Sequence, residues 1–223
     1  MNSVAQNLID IQNRIAELTT ESGRKPEDVT LVAVSKKQPA AKLQAALNAG
    51  QLVFGENRVQ EAYEHWEETR RSGKYPDLRL HLIGPLQTNK VKDAVALFDV
   101  IESVDRPKLA RALAGEMKKQ GRNLPCFIQV NTGEEEQKAG AISPDLPEFY
   151  RLCRDECGLN VVGLMCIPPV DEPPAMHFAL LHKMAGELGL TQLSMGMSGD
   201  YERAVTLGAT HIRVGTGVFG ERV

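Results

Sequence analysis

The stretch Val29-Thr30-Leu31-Val32-Ala33-Val34-Ser35-Lys36-Lys37-Gln38-Pro39 runs from aliphatic residues into a lysine pair and a proline. A run of β-branched and aliphatic residues reads as a buried strand. Alternation puts Val32, Val34 and Lys36 on one face and Leu31, Ala33, Ser35 and Lys37 on the other. If the valine face looks into a core, Lys36 is an amine at its mouth, where desolvation disfavours the charged form. A neutral amine is what carbonyl chemistry needs. The competing reading is a strand-end lysine with its head in water. Two further segments bear on the choice. Ser194-Met195-Gly196-Met197-Ser198-Gly199-Asp200 and Arg213-Val214-Gly215-Thr216-Gly217 are glycine-bearing turns that lead into helices. Glycines let backbone approach an anion, free amides donate to it, and the Ser198 and Thr216 hydroxyls add donors. Ordinary strand-to-helix turns, with Ser198 as an N-cap, are the alternative. Taken together with the lysine, the two turns favour a bound phosphate.

These residues need a scaffold that gathers strand ends. Val4, Leu8, Ile11, Ile15 and Leu18 predict an amphipathic helix over 3–20, with Ser3 as its N-cap. Strand signals follow near 29–36, 52–56, 78–83, 100–104, 126–130, 161–167, 192–195 and 212–214, alternating with helical segments. Eight such units predict parallel pairing through right-handed crossovers and a single (β/α)8 TIM barrel with an extra N-terminal helix. A doubly wound open sheet is the alternative, but its Gly-x-Gly-x-x-Gly fingerprint after the first strand is absent. No linker is evident, so residues 1–223 read as one domain. The proline-rich segment 168–174 is short and reads as a stiff strand-to-helix loop. In a barrel, functional groups gather at the C-terminal strand ends, and phosphate is often bound after strands seven and eight.

A lysine plus a phosphate cradle has two chemical readings. One is a Schiff-base aldolase, in which the phosphate belongs to the substrate. The other is a pyridoxal phosphate protein, in which the lysine holds the cofactor aldehyde. The second needs a partner for the pyridine nitrogen. Arg213, on the same strand face as Gly215, is a candidate; a surface arginine at a strand end is the plain alternative. A permanent cation there would disfavour ring protonation and leave a weak electron sink.

Five segments carry a more specific signal: Leu31–Lys36, Phe54-Gly55-Glu56-Asn57-Arg58-Val59-Gln60-Glu61, His81-Leu82-Ile83-Gly84-Pro85-Leu86-Gln87-Thr88-Asn89-Lys90, Leu193–Ser198 and Arg213–Gly220. In order and spacing they resemble the pyridoxal phosphate homeostasis protein family, the YggS/PROSC proteins, over essentially the whole chain. The resemblance implies a barrel similar to the N-terminal domain of alanine racemase, with pyridoxal 5'-phosphate as a Schiff base on Lys36. It further implies Asn57 beside the cofactor, Arg213 facing the ring nitrogen, and Ser198, Gly215 and Thr216 holding the phosphate. Nothing is carried over to Lys37. Arg58 replaces a tyrosine common in the family. Lys138 lies in a similar loop, where a solvated lysine is the default, and His81 reads as a satisfied core histidine rather than a catalytic one.

Composition narrows the remaining choices. Of 223 residues, 42% are hydrophobic and 25% charged, with a net charge of -3, so neither nucleic acid nor a membrane surface is an expected partner. No leader or membrane span is evident, and a reduced, cytoplasmic monomer is expected. Cys126 and Cys166 lie in apolar runs, and no Cys-x-x-Cys unit exists, which argues against a zinc site. The sequence ends right after the eighth strand motif, so no β-domain carrying a second catalytic base is expected. The favoured function is therefore a non-enzymatic protein of vitamin B6 homeostasis that buffers pyridoxal phosphate or delivers it to apo-enzymes. A small racemase using His81, Lys37 or Tyr201 as base, and a class I aldolase, are the alternatives.

Overall fold

The computed structural model describes residues 3–221. Helix α1 (Val4–Glu21) opens on Ser3, whose hydroxyl accepts from the Gln6 amide at 3.2 Å. Its predicted stripe is buried at Leu8, Ile11, Ile15 and Leu18. The strands that follow are β1 (Thr30–Val34), β2 (Val53–Glu56), β3 (Arg79–Leu82), β4 (Val100–Val104), β5 (Pro125–Asn131), β6 (Ala141–Ile142), β7 (Asn160–Cys166), β8 (Gln192–Met197) and β9 (His211–Val214). Interleaved are α2 (Ala40–Asn48), α3 (Val59–Ser72), α4 (Val91–Leu97), α5 (Pro107–Gln120), α6 (Leu146–Arg151), α7 (Pro174–Glu187), α8 (Tyr201–Thr206) and α9 (Thr216–Phe219). Among these elements no helix is long and apolar enough to cross a membrane.

All pairings are parallel, in the order β1-β2-β3-β4-β5-β7-β8-β9, and β9 returns to β1. This is the closed eight-stranded α/β barrel that the strand count predicts. Each strand sends one side-chain set outward to the helices and the other inward. On β1, Leu31 and Ala33 join the layer under the helices, while Val32 and Val34 line the interior. The outer layer is well filled: Phe54 and Trp66 are fully buried with ring centroids 4.4 Å apart. Burial of side chains of this size is worth roughly 1.5–3 kcal/mol each.

Three local features depart from the sequence pattern. The first strand stops at Val34, so Lys36 sits on a turn beyond it. Two-residue β6 pairs with Val130 and Asn131 and extends the wall above β4. Helix α6 stops at Arg151 and continues as a π turn, Leu152–Glu156, closed by the Cys157 amide on the Leu152 carbonyl at 2.9 Å, a departure from regular helical spacing.

Gly84 explains one motif in steric terms. A Cβ there would lie 2.7 Å from the Cα of Asn57 and collide with its carbonyl. Gly84→Ala should therefore destabilise the fold by roughly 1–3 kcal/mol. Urea midpoints of the two proteins check this, and an unchanged midpoint would show that the contact yields freely.

Candidate functional site at the barrel mouth

Lys36, Asn57 and Ser198 follow β1, β2 and β8, and the segment 213–216 ends β9 and continues beyond it, on four strands contiguous around the barrel. The register puts Val34 level with Gly55, and Gly215 packs on Val34, with its Cβ position 3.5 Å from the Val34 Cβ. Lys36, two residues on, lies in the turn beyond β1 at the C-terminal end of that strand, where it is half-buried.

The Lys36 turn is clamped from both sides. Ser35 donates its amide to Gly55 O at 3.0 Å and its hydroxyl to Glu56 Oε1 at 2.6 Å. The Gln38 amide closes the turn on Ser35 O at 3.1 Å. Lys37 takes φ 56°, a left-handed conformation that costs a non-glycine residue energy. Its amide donates to Glu61 Oε1, which helps offset that cost. Lys37 itself is exposed. Glu56 also accepts from Trp66 Nε1 at 3.0 Å and contacts His65 Nδ1 at 2.7 Å. These carboxylate clamps, spaced five residues apart in the second motif, are the part of the site that residue types alone did not disclose.

The two glycine turns meet at Ser198. Its hydroxyl oxygen accepts from the amides of both Gly215 and Gly217, each at 3.2 Å. Two backbone donors thus converge on a single oxygen. Gly196, at φ 91°, leaves no room for a Cβ against the Ala204 Cβ, 2.5 Å away. Thr216 is exposed at the start of α9.

Arg213 is no surface arginine: it is 4% exposed and points into the barrel. It donates to Ser194 Oγ at 2.6 Å and to Cys166 O at 2.8 Å. Ser194 donates to Glu102 Oε2 at 2.5 Å, and His81 Nδ1 lies 2.6 Å from Glu102 Oε1. Burial pushes the Glu102 carboxyl up, but the His81 hydrogen bond and the charges of His81, Arg213 and His211 outweigh it and hold it at about 2. Glu102 and Ser194 were missed in the sequence; the available signal was a carboxylate inside the apolar strand Val100-Ile101-Glu102-Ser103-Val104. His81, buried in this network, is the satisfied core histidine of the sequence reading. Lys138 departs from it: rather than lying in solvent, its Nζ pairs with Glu135 at 2.5 Å and reaches Pro168 O at 3.3 Å.

At the barrel floor, burial pushes His211 down to about 4, against the pull of Glu102. Its ring sits 5.8 Å from His81 and 5.1 Å from Phe127. In the unfolded chain it titrates near 6.5. The unfolded state therefore binds the proton first, and stability falls as pH drops from 6.5 towards 4. His211→Phe should flatten that limb of the stability profile, up to ~3 kcal/mol. Urea unfolding at pH values across that window is the measurement, and equal slopes for both proteins would refute the assignment.

An amine, converging amides and a buried guanidinium at neighbouring strand ends of a closed parallel α/β barrel set this chain apart from an open nucleotide fold. The family model for the alanine racemase N-terminal domain matches residues 7–223. The pyridoxal phosphate homeostasis protein of Pseudomonas aeruginosa is 39% identical, over 100% of this chain and 97% of its own. The one from Escherichia coli is 35% identical over 100% and 98%. The structure of PipY from Synechococcus elongatus without PLP matches with a TM-score of 0.85 and 39% identity, over 98% of this chain and 100% of that one. PipY with PLP bound matches at 0.81 and 38%, with the same coverage. The chain belongs to the pyridoxal phosphate homeostasis protein family.

Proposed function

We propose that this chain binds pyridoxal 5'-phosphate at the barrel mouth and buffers or delivers it within the vitamin B6 pool, without robust turnover of its own. The observation that carries the reading is the gathering of Lys36, Arg213 and the Ser198–Gly215–Gly217 cluster on three adjacent strand ends, in a chain whose relative PipY was solved with PLP bound. The donor set fits the molecule. Pyridoxal phosphate presents an aldehyde, a phosphate and a ring nitrogen, which call for an amine, clustered N–H and hydroxyl donors, and a polar partner.

In this reading Lys36 holds the aldehyde carbon, Asn57 lies beside the ring, and Ser198, Gly215 and Thr216 hold the phosphate. Arg213 faces the ring nitrogen, and its permanent charge keeps a proton off that atom. When bound, the cofactor supplies a carbonyl that bonds reversibly to an amine. The chain's own groups favour holding over catalysis. A racemase needs a second base on the far face of its substrate carbon. His81 is engaged with Glu102 below the rim. Lys37 stands on the solvent side of its turn. Burial, then the charge of Glu202, pushes the Tyr201 phenol up, so it stays protonated at neutral pH. The reading carries with it one binding domain over 1–223, a cytoplasmic monomer, and apo-enzymes as recipients.

The test is transfer. Loaded protein incubated with a pyridoxal-phosphate-requiring apo-enzyme should restore that enzyme's activity. In the same preparation, Cα-hydrogen exchange on a panel of amino acids in deuterated water should stay at background. Saturable exchange that disappears in Lys36→Ala would instead mark a racemase.

A further inference from the structure

The outer side of β2 carries a cluster that the cofactor reading does not use. Glu61 and His65 are four apart on α3 and so share one face of the helix. Glu56, at the end of β2, lies beneath them, fully buried. One potential ligand atom from each of the three lies within 4.8 Å of the others.

The Glu56 carboxylate is lopsided. Oε1 takes the Ser35 hydroxyl, the Trp66 indole and His65 Nδ1, at 2.6, 3.0 and 2.7 Å. Oε2 is buried and has no hydrogen-bond partner. A buried carboxylate oxygen without a partner is costly, and each such atom in a folded protein calls for a cause. A cation is one, and the Ser35 and Trp66 donors would then act as the outer groups that hold a ligating carboxylate in place. On the His65 side the cluster borders a cleft of about 360 Å³ between α2 and α3, lined also by Trp66, Glu64, Glu68 and Lys74.

We propose that Glu56, Glu61 and His65 form a binding site for a divalent transition-metal ion of the zinc type. Two carboxylates and an imidazole are a donor set that zinc accepts in four-coordinate sites, with water as the fourth ligand. Bond lengths near 2.0–2.2 Å place ligand atoms ~3.3 Å apart, so His65 Nδ1 and Glu56 Oε1, now 2.7 Å apart, part slightly as the ion enters between them. The ion displaces the proton between His65 and Glu56, which leaves to solvent. Cysteine spacing, the sequence criterion applied to zinc, is blind to this Glu-x4-Glu-x3-His arrangement. Because Glu61 also caps the Lys37 amide, the ion would sit at the back of the Lys36 turn.

The probe is cobalt(II), titrated into the full chain after chelator dialysis, followed by displacement with zinc(II). The expected result is one equivalent per chain with visible bands of a four-coordinate nitrogen and oxygen site, lost on addition of zinc. His65→Ala and Glu61→Gln should each weaken zinc binding at least ~100-fold, and Glu61→Gln keeps an acceptor for the Lys37 amide. Zinc should raise the urea midpoint of the unaltered chain and not that of His65→Ala, a readout that holds even if a variant is less stable. Binding weaker than ~100 µM would overturn the proposal, as would binding unchanged in both variants or a sulfur-to-cobalt charge-transfer band from Cys157.

Discussion

Lys36→Ala should lose the borohydride-trapped pyridoxyl adduct completely and retain cofactor at least ~100-fold less well, about 2.7 kcal/mol. The loss is confined to one lysine because the backbone separates two neighbours of identical chemistry. Lys36, in the turn just beyond β1, is half-buried. Lys37, in the left-handed region with its amide on Glu61, is exposed. Mass mapping of the reduced protein should find the label on Lys36. Label on Lys37 would move the attachment to the exposed side of the same turn, and label on Lys138 beside Glu135 would move it to the wall after β5. The contacts of Ser35, Gln38 and the two carboxylates that close the turn all remain in Lys36→Ala, and a urea midpoint beside the binding measurement separates lost cofactor from lost fold.

Arg213→Met should cost roughly 3–5 kcal/mol of stability, far more than the packing change implies. The substitution removes the guanidinium from Ser194 and Cys166 and leaves the fully buried Glu102 carboxylate with His81 and Ser194 alone. A buried charge stripped of one partner is penalised more heavily than a pair removed together. The double variant Glu102→Gln with Arg213→Met should therefore recover part of the loss, a coupling that urea unfolding of the four proteins in the cycle measures. Strict additivity would show that the two charges do not sense one another. Glu102 also sets an acid limit. Its carboxyl titrates near 4.5 when unfolded and near 2 when folded, so its contribution is complete above 4.5 and lost as pH falls through 2.

Much of the architecture was legible because it is written in short-range periodicity. Eight strand signals and the α1 stripe are local patterns, and the closed barrel follows from counting them. The strand-end residues could be grouped because barrels place such ends together. What stayed hidden depends on partners far apart in sequence. Ser194 meets Glu102 across 92 residues, and Arg213 reaches Cys166 across 47. No local spacing announces either contact. Two-residue β6 is too short to show alternation, and the π turn after α6 differs from a helix by one hydrogen-bond step. The end of β1 was read two residues too long because Ser35 and Lys36 continue the alternation into a turn. The two carboxylates behind Lys36 lay inside a recognised motif. Their task is visible only when β2 and α3 are folded against the first strand.

The Gly84 contact has a consequence for how the mouth is held. With no room for a side chain between Gly84 and the Asn57 backbone, the segments that leave β2 and β3 pack directly on one another. That flank of the rim is a fixed jamb. Two strands away, α9 has four residues and exposes Thr216 and Gly217, while Asn7 and Lys42 hold the Val218 and Phe219 carbonyls and Ser198 takes the Gly215 and Gly217 amides. The rim is thus fastened on the β2–β3 flank by steric contact and on the β9 flank by side-chain hydrogen bonds, so a substitution that loosens one flank leaves the other intact.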